Sequence, residues 1–274
     1  MDYSELQLSA EQVARRVGAR VKEVLDNSED IRVSSKSGET DLVTEVDLWV
    51  EKEVKEELLK KYPDTSLVGE ESVNELSCPM EEYLNNRQCW IVDPIDGTNN
   101  FVNGIPQVGV SIAFYDKGSP KVGVVYDPAR DEMFSARDGA GAFLNDKPIR
   151  VSDKTSLIES IIATGFPYQK KKQDWQFCAD TFMSYIKSVR GVRRFGAATL
   201  DGCWVACGRF DGFYEFGLSP WDVAAIAVII KEAGGQIGNL TDTPREFSLC
   251  EDSFIFAPPK VFDEMLSLMQ GVDR

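Results

Sequence analysis

The sequence of 274 residues contains no histidine. This absence excludes the hydrolase mechanisms in which histidine activates a serine or cysteine nucleophile, and it excludes histidine-ligated zinc. A phosphohistidine intermediate is excluded for the same reason. Any catalysis by this chain must therefore rely on carboxylates, hydroxyls, lysine, backbone groups or a metal ion bound through oxygen.

Basic residues are scarce relative to acidic ones. The chain carries 30 lysine and arginine residues against 45 aspartate and glutamate residues, which gives a formal net charge of -15. Nucleic acids and anionic membranes would be repelled by such a surface. We therefore expect neither of them as a partner.

Long apolar runs and the features of a signal peptide are also missing. No run is long enough to span a bilayer. The N-terminal segment, MDYSELQLSAEQ, has neither the basic region nor the apolar region of a secretory signal. We expect a cytoplasmic protein, and a plastid protein whose transit peptide has been removed is the alternative.

The six cysteines form no Cys-x-x-Cys pair. Without a signal sequence, this scatter favours reduced thiols in the core over disulfides or a zinc site. The apolar fraction of 43% is sufficient for a large core. We predict one domain over residues 1–274, with two α/β halves at roughly 1–150 and 151–274 and an active site between them.

Hydrophobic periodicity predicts alternating helices and strands. Valines at four-residue spacing predict an amphipathic helix near residues 13–25, and a second helix, capped by Asp41, is predicted to continue to Leu58. The polar segment between them is predicted to be a loop or a hairpin tip. Strands followed by an antiparallel meander are predicted from 66 to 143, and strands alternate with helices again from 160 to 269. This order predicts an α+β fold of stacked layers.

The most informative segment places Asp93 and Asp96 after a buried strand. Pro94 restricts the backbone between them, so both carboxylates and the Ile95 carbonyl can face one space. Such oxygens are the ligands that hard divalent cations prefer. The turn that follows can direct its amides at an anion. An ordinary Asp-Gly turn is the alternative interpretation of this segment taken alone.

Two further acidic segments lie at predicted element ends. Glu70 and Glu71 follow a strand, and Asp222 begins a strongly apolar helix. Taken singly, they could be a solvated turn and a charge that complements the helix dipole. Together with Asp93 and Asp96, in a chain without histidine, they favour an acidic metal centre.

Two more acids are ambiguous by themselves. Asp47, near the start of the second helix, would alone be interpreted as a surface charge. Glu215 ends an otherwise aromatic strand, and a carboxylate there needs a partner if it is buried.

These segments together resemble the inositol monophosphatase family, within the lithium-sensitive, magnesium-dependent phosphatase superfamily. The matching motifs are Asp-Leu-Val-Thr-Glu-Val-Asp at 41–47, Gly-Glu-Glu-Ser at 69–72, Trp-Ile-Val-Asp-Pro-Ile-Asp-Gly-Thr at 90–98, and Trp-Asp-Val-Ala-Ala leading to Glu-Ala-Gly-Gly at 221–235. The resemblance extends over almost the whole chain. It implies an αβαβα sandwich of the inositol monophosphatase and fructose-1,6-bisphosphatase type, and a homodimer.

The resemblance also implies a metal centre of two or three Mg²⁺ ions. Glu70, Asp93 and the Ile95 carbonyl would bind the first ion. Asp93, Asp96 and Asp222 would bind the second, and Glu70 would help to hold a third, weaker one. Mn²⁺ is expected to substitute for Mg²⁺, and Li⁺ is expected to inhibit.

Roles in catalysis and substrate binding follow from the same resemblance. Thr98, supported by Asp47, would orient the attacking water together with Glu70. The residues implied to contact the substrate are Asp96, Gly97, Thr98, Ala198, Glu215 and Asp222. Asn103 and Ala197 stand where many members have histidine and threonine, and these differences bear on the pocket for the leaving group.

The expected activity is Mg²⁺-dependent hydrolysis of inositol monophosphate or a related sugar phosphate, by in-line attack of a metal-activated water. Fructose-1,6-bisphosphatase, histidinol-phosphate phosphatase and nucleotide 3'-phosphatase activities are alternatives on the same fold. A bisphosphate would require a second basic pocket, for which Arg193, Arg194 and Lys170–Lys172 are candidates. A regulatory or binding protein that retains the fold is the alternative from another class.

Overall fold

The computed structural model describes residues 1–27, 33–38, 41–167, 175–240 and 247–272. Its helices are α1 (Tyr3–Asn27), α2 (Glu45–Lys61), α3 (Met80–Asn85), α4 (Thr98–Val102), α5 (Trp175–Ser188), α6 (Ala198–Ala206), α7 (Pro220–Glu232) and α8 (Pro259–Gln270). Its strands are β1 (Val33–Gly38), β2 (Asp41–Thr44), β3 (Ser66–Gly69), β4 (Gln88–Asp96), β5 (Gly109–Asp116), β6 (Ser119–Asp127), β7 (Glu132–Arg137), β8 (Ala142–Leu144), β9 (Lys147–Ile149), β10 (Ile161–Thr164), β11 (Gly191–Arg193), β12 (Gly212–Phe216), β13 (Gln236–Asn239) and β14 (Ser253–Ala257).

Two larger sheets organise the chain. Strands β3 to β9 form a seven-stranded sheet in chain order, in which β3 and β4 are parallel. The second sheet has five strands in the order β11-β10-β12-β14-β13. Helices α1 and α2 cover one face of the first sheet, α6 and α7 fill the space between the sheets, and α5 and α8 cover the outer face of the second. This order of layers confirms the predicted αβαβα sandwich.

Alternation along the strands supplies each layer with apolar side chains. In β4, Trp90 and Val92 pack in the core beneath α1 and α2, whereas Ile91 packs in the core that contains α7. In β12, Phe213 lies in the α7 core and Tyr214 in the core beneath α5 and α8. The period of two therefore lets single strands serve two cores at once.

The start of α2 differs from the prediction. Asp41 begins strand β2, which pairs with β1, and the helix is capped by Thr44. The hydroxyl of Thr44 accepts the amides of Val46 and Asp47 at 3.2 and 3.3 Å, and Asp47 accepts the Thr44 amide at 2.9 Å. Because residues 41–44 are extended in β2, the helix can begin only after Thr44, where this capping box forms. The segment between the first helices thus contains a hairpin, and residues 39–40 lie outside the described residues.

Several short elements and one cysteine also differ from the predictions. Strands β9 and β13 and helices α3 and α4 were not predicted, and Cys250 is exposed, so the expectation of core thiols is wrong for that cysteine. In the described part of the chain, no helix is both long enough and apolar enough to cross a membrane. The division into halves at about residue 150 stays a prediction.

Candidate active site

A bulge in β4 brings Asp93 and Asp96 to the same side of the sheet. Pairing with β5 runs to Asp93 and resumes at Asp96 one residue out of register. In a regular strand, side chains three residues apart would face opposite sides. The extra residue turns Ile95 into the core beneath α1 and α2 and leaves both acids facing α6 and α7. Pro94 lies within the bulge, where it interrupts no ladder pair.

Asp222 joins the two β4 acids from the first turn of α7. One carboxylate oxygen from each of Asp93, Asp96 and Asp222 lies within 4.8 Å of the others. Asp222 also accepts the Ser219 amide at 2.7 Å, which caps the helix. The interpretation of Asp222 as a helix-terminal charge and its place in an acidic cluster are therefore compatible, because the one carboxylate takes part in both.

Glu70 lies beside this cluster at the end of β3. Its amide donates to the Val92 carbonyl at 3.1 Å, which aligns it with the residue before Asp93 on the parallel neighbour. Among the described residues, Glu70 does not belong to the group of three converging carboxylates. Its negative charge nevertheless acts on Asp222.

Thr98 follows the acids at the start of α4. Gly97, before it, has a φ of 88°, in the left-handed region that favours glycine. The Thr98 hydroxyl lies 3.2 Å from Asp47 Oδ1 and 3.0 Å from the Ile95 carbonyl oxygen. A hydroxyl has one hydrogen, so it donates to one of these acceptors at a time. The structure thus brings Asp47, which the sequence alone left as a surface charge, next to Thr98.

Asp96 connects β4 with α6 in the middle layer. Its Oδ2 accepts the Thr199 amide at 2.7 Å and also the Thr199 hydroxyl. The neighbouring Ala198 amide is a further donor to the same carboxylate. Ala198, expected beside the substrate, therefore lies next to Asp96. Sequence reasoning missed Thr199, although a hydroxyl residue in the first turn of a helix is a common partner for an acid.

Glu215 is buried on β12 with 8% of its surface exposed. A Cβ atom on Gly165, which follows β10, would lie only 2.1–2.2 Å from the carboxyl atoms of Glu215. Glycine at 165 is therefore required for the Glu215 carboxyl to occupy its position. The sequence offers one signal for this contact, a glycine that follows a predicted strand. It does not show that the residue facing this glycine is Glu215.

Asp201, on α6, is a buried acid that sequence reasoning did not single out. It is 1% exposed, and its Oδ1 has no hydrogen-bond partner among the described residues. Burial, followed by the charges of Glu215 and Asp96, raises the pKa of Asp201 well above its usual value, and Arg194 opposes the rise. Arg194 is exposed, and its charge acts on Asp201 and Glu215, while Lys170–Lys172 lie outside the described residues.

Burial and mutual repulsion dominate the electrostatics of the cluster. Burial raises the pKa of Asp222 to about 8, and the charges of Asp96 and Glu70 add to the rise. Burial likewise raises the pKa of Glu215 to about 8, with Arg194 opposing it, and raises the pKa of Asp96 against its hydrogen bonds to Thr199. Without a cation, the site therefore favours protonated carboxyls.

The donor set fits a divalent cation such as Mg²⁺. Two ligands on one Mg²⁺ lie at most about 4.2 Å apart, because each bond is about 2.1 Å long. The three carboxylate oxygens, within 4.8 Å of one another, are close to that limit. A bound cation would also offset the repulsion that raises the pKa values. The fold and this site together define a layered α+β protein with a carboxylate centre suited to divalent cations.

Comparison with known proteins gives the family. The model of the inositol monophosphatase family matches residues 2–270. Nus factor SuhB from Pseudomonas aeruginosa is 39% identical over 259 residues, covering 94% of this chain and 93% of that protein. Inositol monophosphatase 3 from Solanum lycopersicum is 41% identical over 230 residues, 83% of each chain. The solved inositol monophosphatase from Anabaena (Nostoc) sp. PCC 7120 has a TM-score of 0.83 at 31% identity, covering 98% of this chain and 96% of that one. The chain belongs to the inositol monophosphatase family, which confirms the resemblance inferred from its motifs.

The raised pKa values predict how the stability of the metal-free protein depends on pH. Acids whose pKa is raised on folding stabilise the fold below their unfolded values of about 4, and this contribution is lost as pH rises through the folded values near 8. With EDTA present, we expect the Tm to fall by more than about 5 °C between pH 5 and pH 8. Thermal unfolding followed by circular dichroism measures this.

Two variants isolate the contribution of the cluster. Asp222→Asn should make the fall in Tm shallower, because it removes one half-buried negative charge from the cluster at pH 8. Asp64→Asn, at an exposed position after α2, is the matched control and should follow the wild type. A Tm of the metal-free wild type that does not fall toward pH 8 would contradict the electrostatic description.

Proposed function

We propose that this protein is a Mg²⁺-dependent phosphatase that hydrolyses monoesters of a small polyol, with inositol monophosphate as the favoured substrate class. The observation that carries the proposal is the convergence of Asp93, Asp96 and Asp222 beside the hydrogen-bonded pair of Thr98 and Asp47. The converging acids suit a cation that attracts phosphate. The paired hydroxyl suits a water that attacks it.

The metal ligands in this proposal are carboxylates and one carbonyl. Asp93, Asp96 and Asp222 would share one ion, and Glu70, Asp93 and the Ile95 carbonyl would hold another. When bound, Mg²⁺ supplies positive charge that attracts the phosphate dianion and stabilises the charge that develops during phosphoryl transfer. Mn²⁺ would satisfy the same oxygen ligands, and Li⁺ would compete for the carboxylates.

The protein's own residues orient the attacking water. When the Thr98 hydroxyl donates to Asp47 Oδ1, its lone pairs are left to accept a hydrogen from water. The capping box at Thr44 fixes Asp47, so the position of this acceptor is set by the start of α2. Glu70, on the adjacent turn, is the proposed acceptor of the proton that the water loses. This arrangement favours direct in-line attack without a phosphoenzyme.

The other side of the site suits hydroxyl groups more than a second phosphate. Glu215 would accept hydrogen bonds from ring hydroxyls, with Ala198 and Asp96 beside them. Arg194, a candidate for a second phosphate pocket, is exposed and lies within electrostatic range of Asp96, Asp201 and Glu215, whose ionised forms would repel a second phosphate. A monophosphate of a polyol is therefore favoured over a bisphosphate. The Gly97 and Thr98 amides are proposed to hold its phosphate.

A second candidate function comes from the relatives named Nus factor SuhB. A regulatory role would depend on residues at the surface that bind a partner, whereas Asp93 and Asp96 are buried. The two functions are therefore separable by substitutions in the site. A variant that has lost phosphatase activity but kept its fold tests whether the protein still binds a partner when it no longer hydrolyses phosphate esters.

Replacement of one bridging acid tests the catalytic proposal. We expect the wild type with Mg²⁺ to release phosphate faster from inositol 1-phosphate than from fructose 1,6-bisphosphate, histidinol phosphate or 3'-phosphoadenosine 5'-phosphate. Asp93→Asn keeps the shape of the side chain but removes a charged ligand, so kcat should fall by about a thousandfold or more while circular dichroism stays unchanged. Asp64→Asn is the control with wild-type rates. Substantial activity in Asp93→Asn would show that the metal assignment is wrong.

The contact between Gly165 and Glu215 tests the hydroxyl side. Gly165→Ala should displace the Glu215 carboxyl and raise the KM for inositol 1-phosphate by about tenfold, which corresponds to loss of one hydrogen bond to a charged group. Hydrolysis of 4-nitrophenyl phosphate, which has no ring hydroxyls, should change little. Gly271→Ala, where a Cβ would meet nothing nearer than 3.5 Å, is the matched control.

A double substitution distinguishes displacement of Glu215 from general damage. Glu215→Asp shortens the side chain and makes room for a Cβ at 165. Gly165→Ala combined with Glu215→Asp should therefore have about the same KM as Glu215→Asp alone. Additive losses on both substrates would count against a role for Glu215 at the substrate hydroxyls.

A further inference from the structure

Helix α2 directs a second buried acid toward the active-site region. Glu51 lies one turn after Asp47 on the same face of the helix, and the two residues are 5% and 0% exposed. Asp47 contacts Thr98, whereas Glu51 points to the turn that follows β3. The proposed metal binding, orientation of the water and substrate contacts do not involve the buried Glu51 carboxylate.

Glu51 accepts a hydrogen bond from the turn that carries Glu70. Its Oε2 lies 2.8 Å from the Glu71 amide nitrogen. The preceding amide, of Glu70, donates to the Val92 carbonyl of β4 at 3.1 Å. Two consecutive amides of the turn are thus anchored to two different elements, one to the sheet and the other to α2. Without an acceptor at this position, the Glu71 amide would lose its partner and the turn would lose its anchor to α2.

Gly69 allows the close approach of Glu51. A Cβ atom at position 69 would lie 2.2 Å from Glu51 Oε2 and 2.3 Å from its Cδ. Any larger residue would push the carboxyl away from the Glu71 amide. The Gly-Glu-Glu sequence at 69–71 and Glu51 therefore form one local unit, in which glycine makes the space and the carboxylate fills it.

We propose that Glu51 is a positioning residue that holds the Glu70–Glu71 turn, and through it the Glu70 carboxylate, at the metal site. Glu51 lies behind the turn and contacts its backbone, so it acts through Glu70. The inference rests on the proposed function, because Glu70 is a metal ligand only in that proposal. It makes α2 a common support: one turn of the helix supplies an acceptor for the Thr98 hydroxyl, and the next holds the Glu70–Glu71 turn.

Two conservative substitutions separate the effect of the length of the Glu51 side chain from the effect of its charge. Glu51→Gln keeps the length of the side chain and an acceptor oxygen for the Glu71 amide but removes the charge. Glu51→Asp keeps the charge but is one methylene too short to reach the amide. Glu56→Gln is the matched control, because Glu56 is an exposed acid on the same helix whose pairing with Lys52 at 3.8 Å is a surface contact.

The readout is Mg²⁺ binding without substrate, measured as the Mg²⁺ concentration at the midpoint of the rise in Tm. Loss of support for a metal ligand typically weakens metal binding by 10- to 100-fold. We therefore expect Glu51→Asp to raise the midpoint by about tenfold or more. Glu51→Gln and Glu56→Gln should stay within about threefold of the wild type, and kcat at saturating Mg²⁺ should change less than the midpoint does.

Several results would overturn the inference. A midpoint for Glu51→Asp within threefold of the wild type would exclude the positioning role, and so would a midpoint for Glu51→Gln raised as far as that of Glu51→Asp. If Glu51→Asp does not fold, Gly69→Ala displaces the same carboxyl and should raise the midpoint similarly; an unchanged midpoint there contradicts the inference. A wild type whose Tm does not respond to Mg²⁺ would instead refute the metal-dependent function itself.

Discussion

Repulsion between buried carboxylates is the constraint on which the arrangement of this site depends. Asp93, Asp96 and Asp222 converge within 4.8 Å, and Glu215 and Asp201 lie within reach of their charges. Burying like charges without compensation costs several kcal/mol per ion. The fold tolerates the cluster because protons can neutralise it when no cation is present, and a divalent cation can replace those protons. If the proposed function holds, metal binding, proton release and stability are therefore linked.

Helix N-termini provide the compensation that the polypeptide itself can supply. Asp47 and Asp222 lie in the first turns of α2 and α7 and accept the amides of their own capping residues. Asp96 accepts an amide in the first turn of α6 from outside that helix. The positive ends of three helix dipoles thus meet the acids. The same contacts that begin the helices fix the carboxylates that would bind metal, so fold and site share one set of interactions.

The sequence predicted the layered fold and the acids at strand ends, because periodicity and acidic residues after apolar runs are local signals. It predicted that Asp93 and Asp96 face one space but attributed this to Pro94 and missed the β4 bulge, because the bulge depends on pairing with β5. It placed the α2 cap at Asp41, because the choice between Asp41 and Thr44 depends on the β1–β2 hairpin. The spaces left by Gly165 and Gly69 were also beyond prediction, because each is defined by a carboxylate from a distant part of the chain.

The most direct test of this account is the binding of inorganic phosphate to the wild-type protein with and without Mg²⁺, measured by isothermal titration calorimetry at pH 7.5. Phosphate avoids turnover and carries the charge that the acidic site must accept. If the carboxylates attract phosphate only through a bound cation, Mg²⁺ should strengthen phosphate binding by about a hundredfold or more, a coupling of about 2.7 kcal/mol. Equal affinity with and without Mg²⁺ would contradict the central claim.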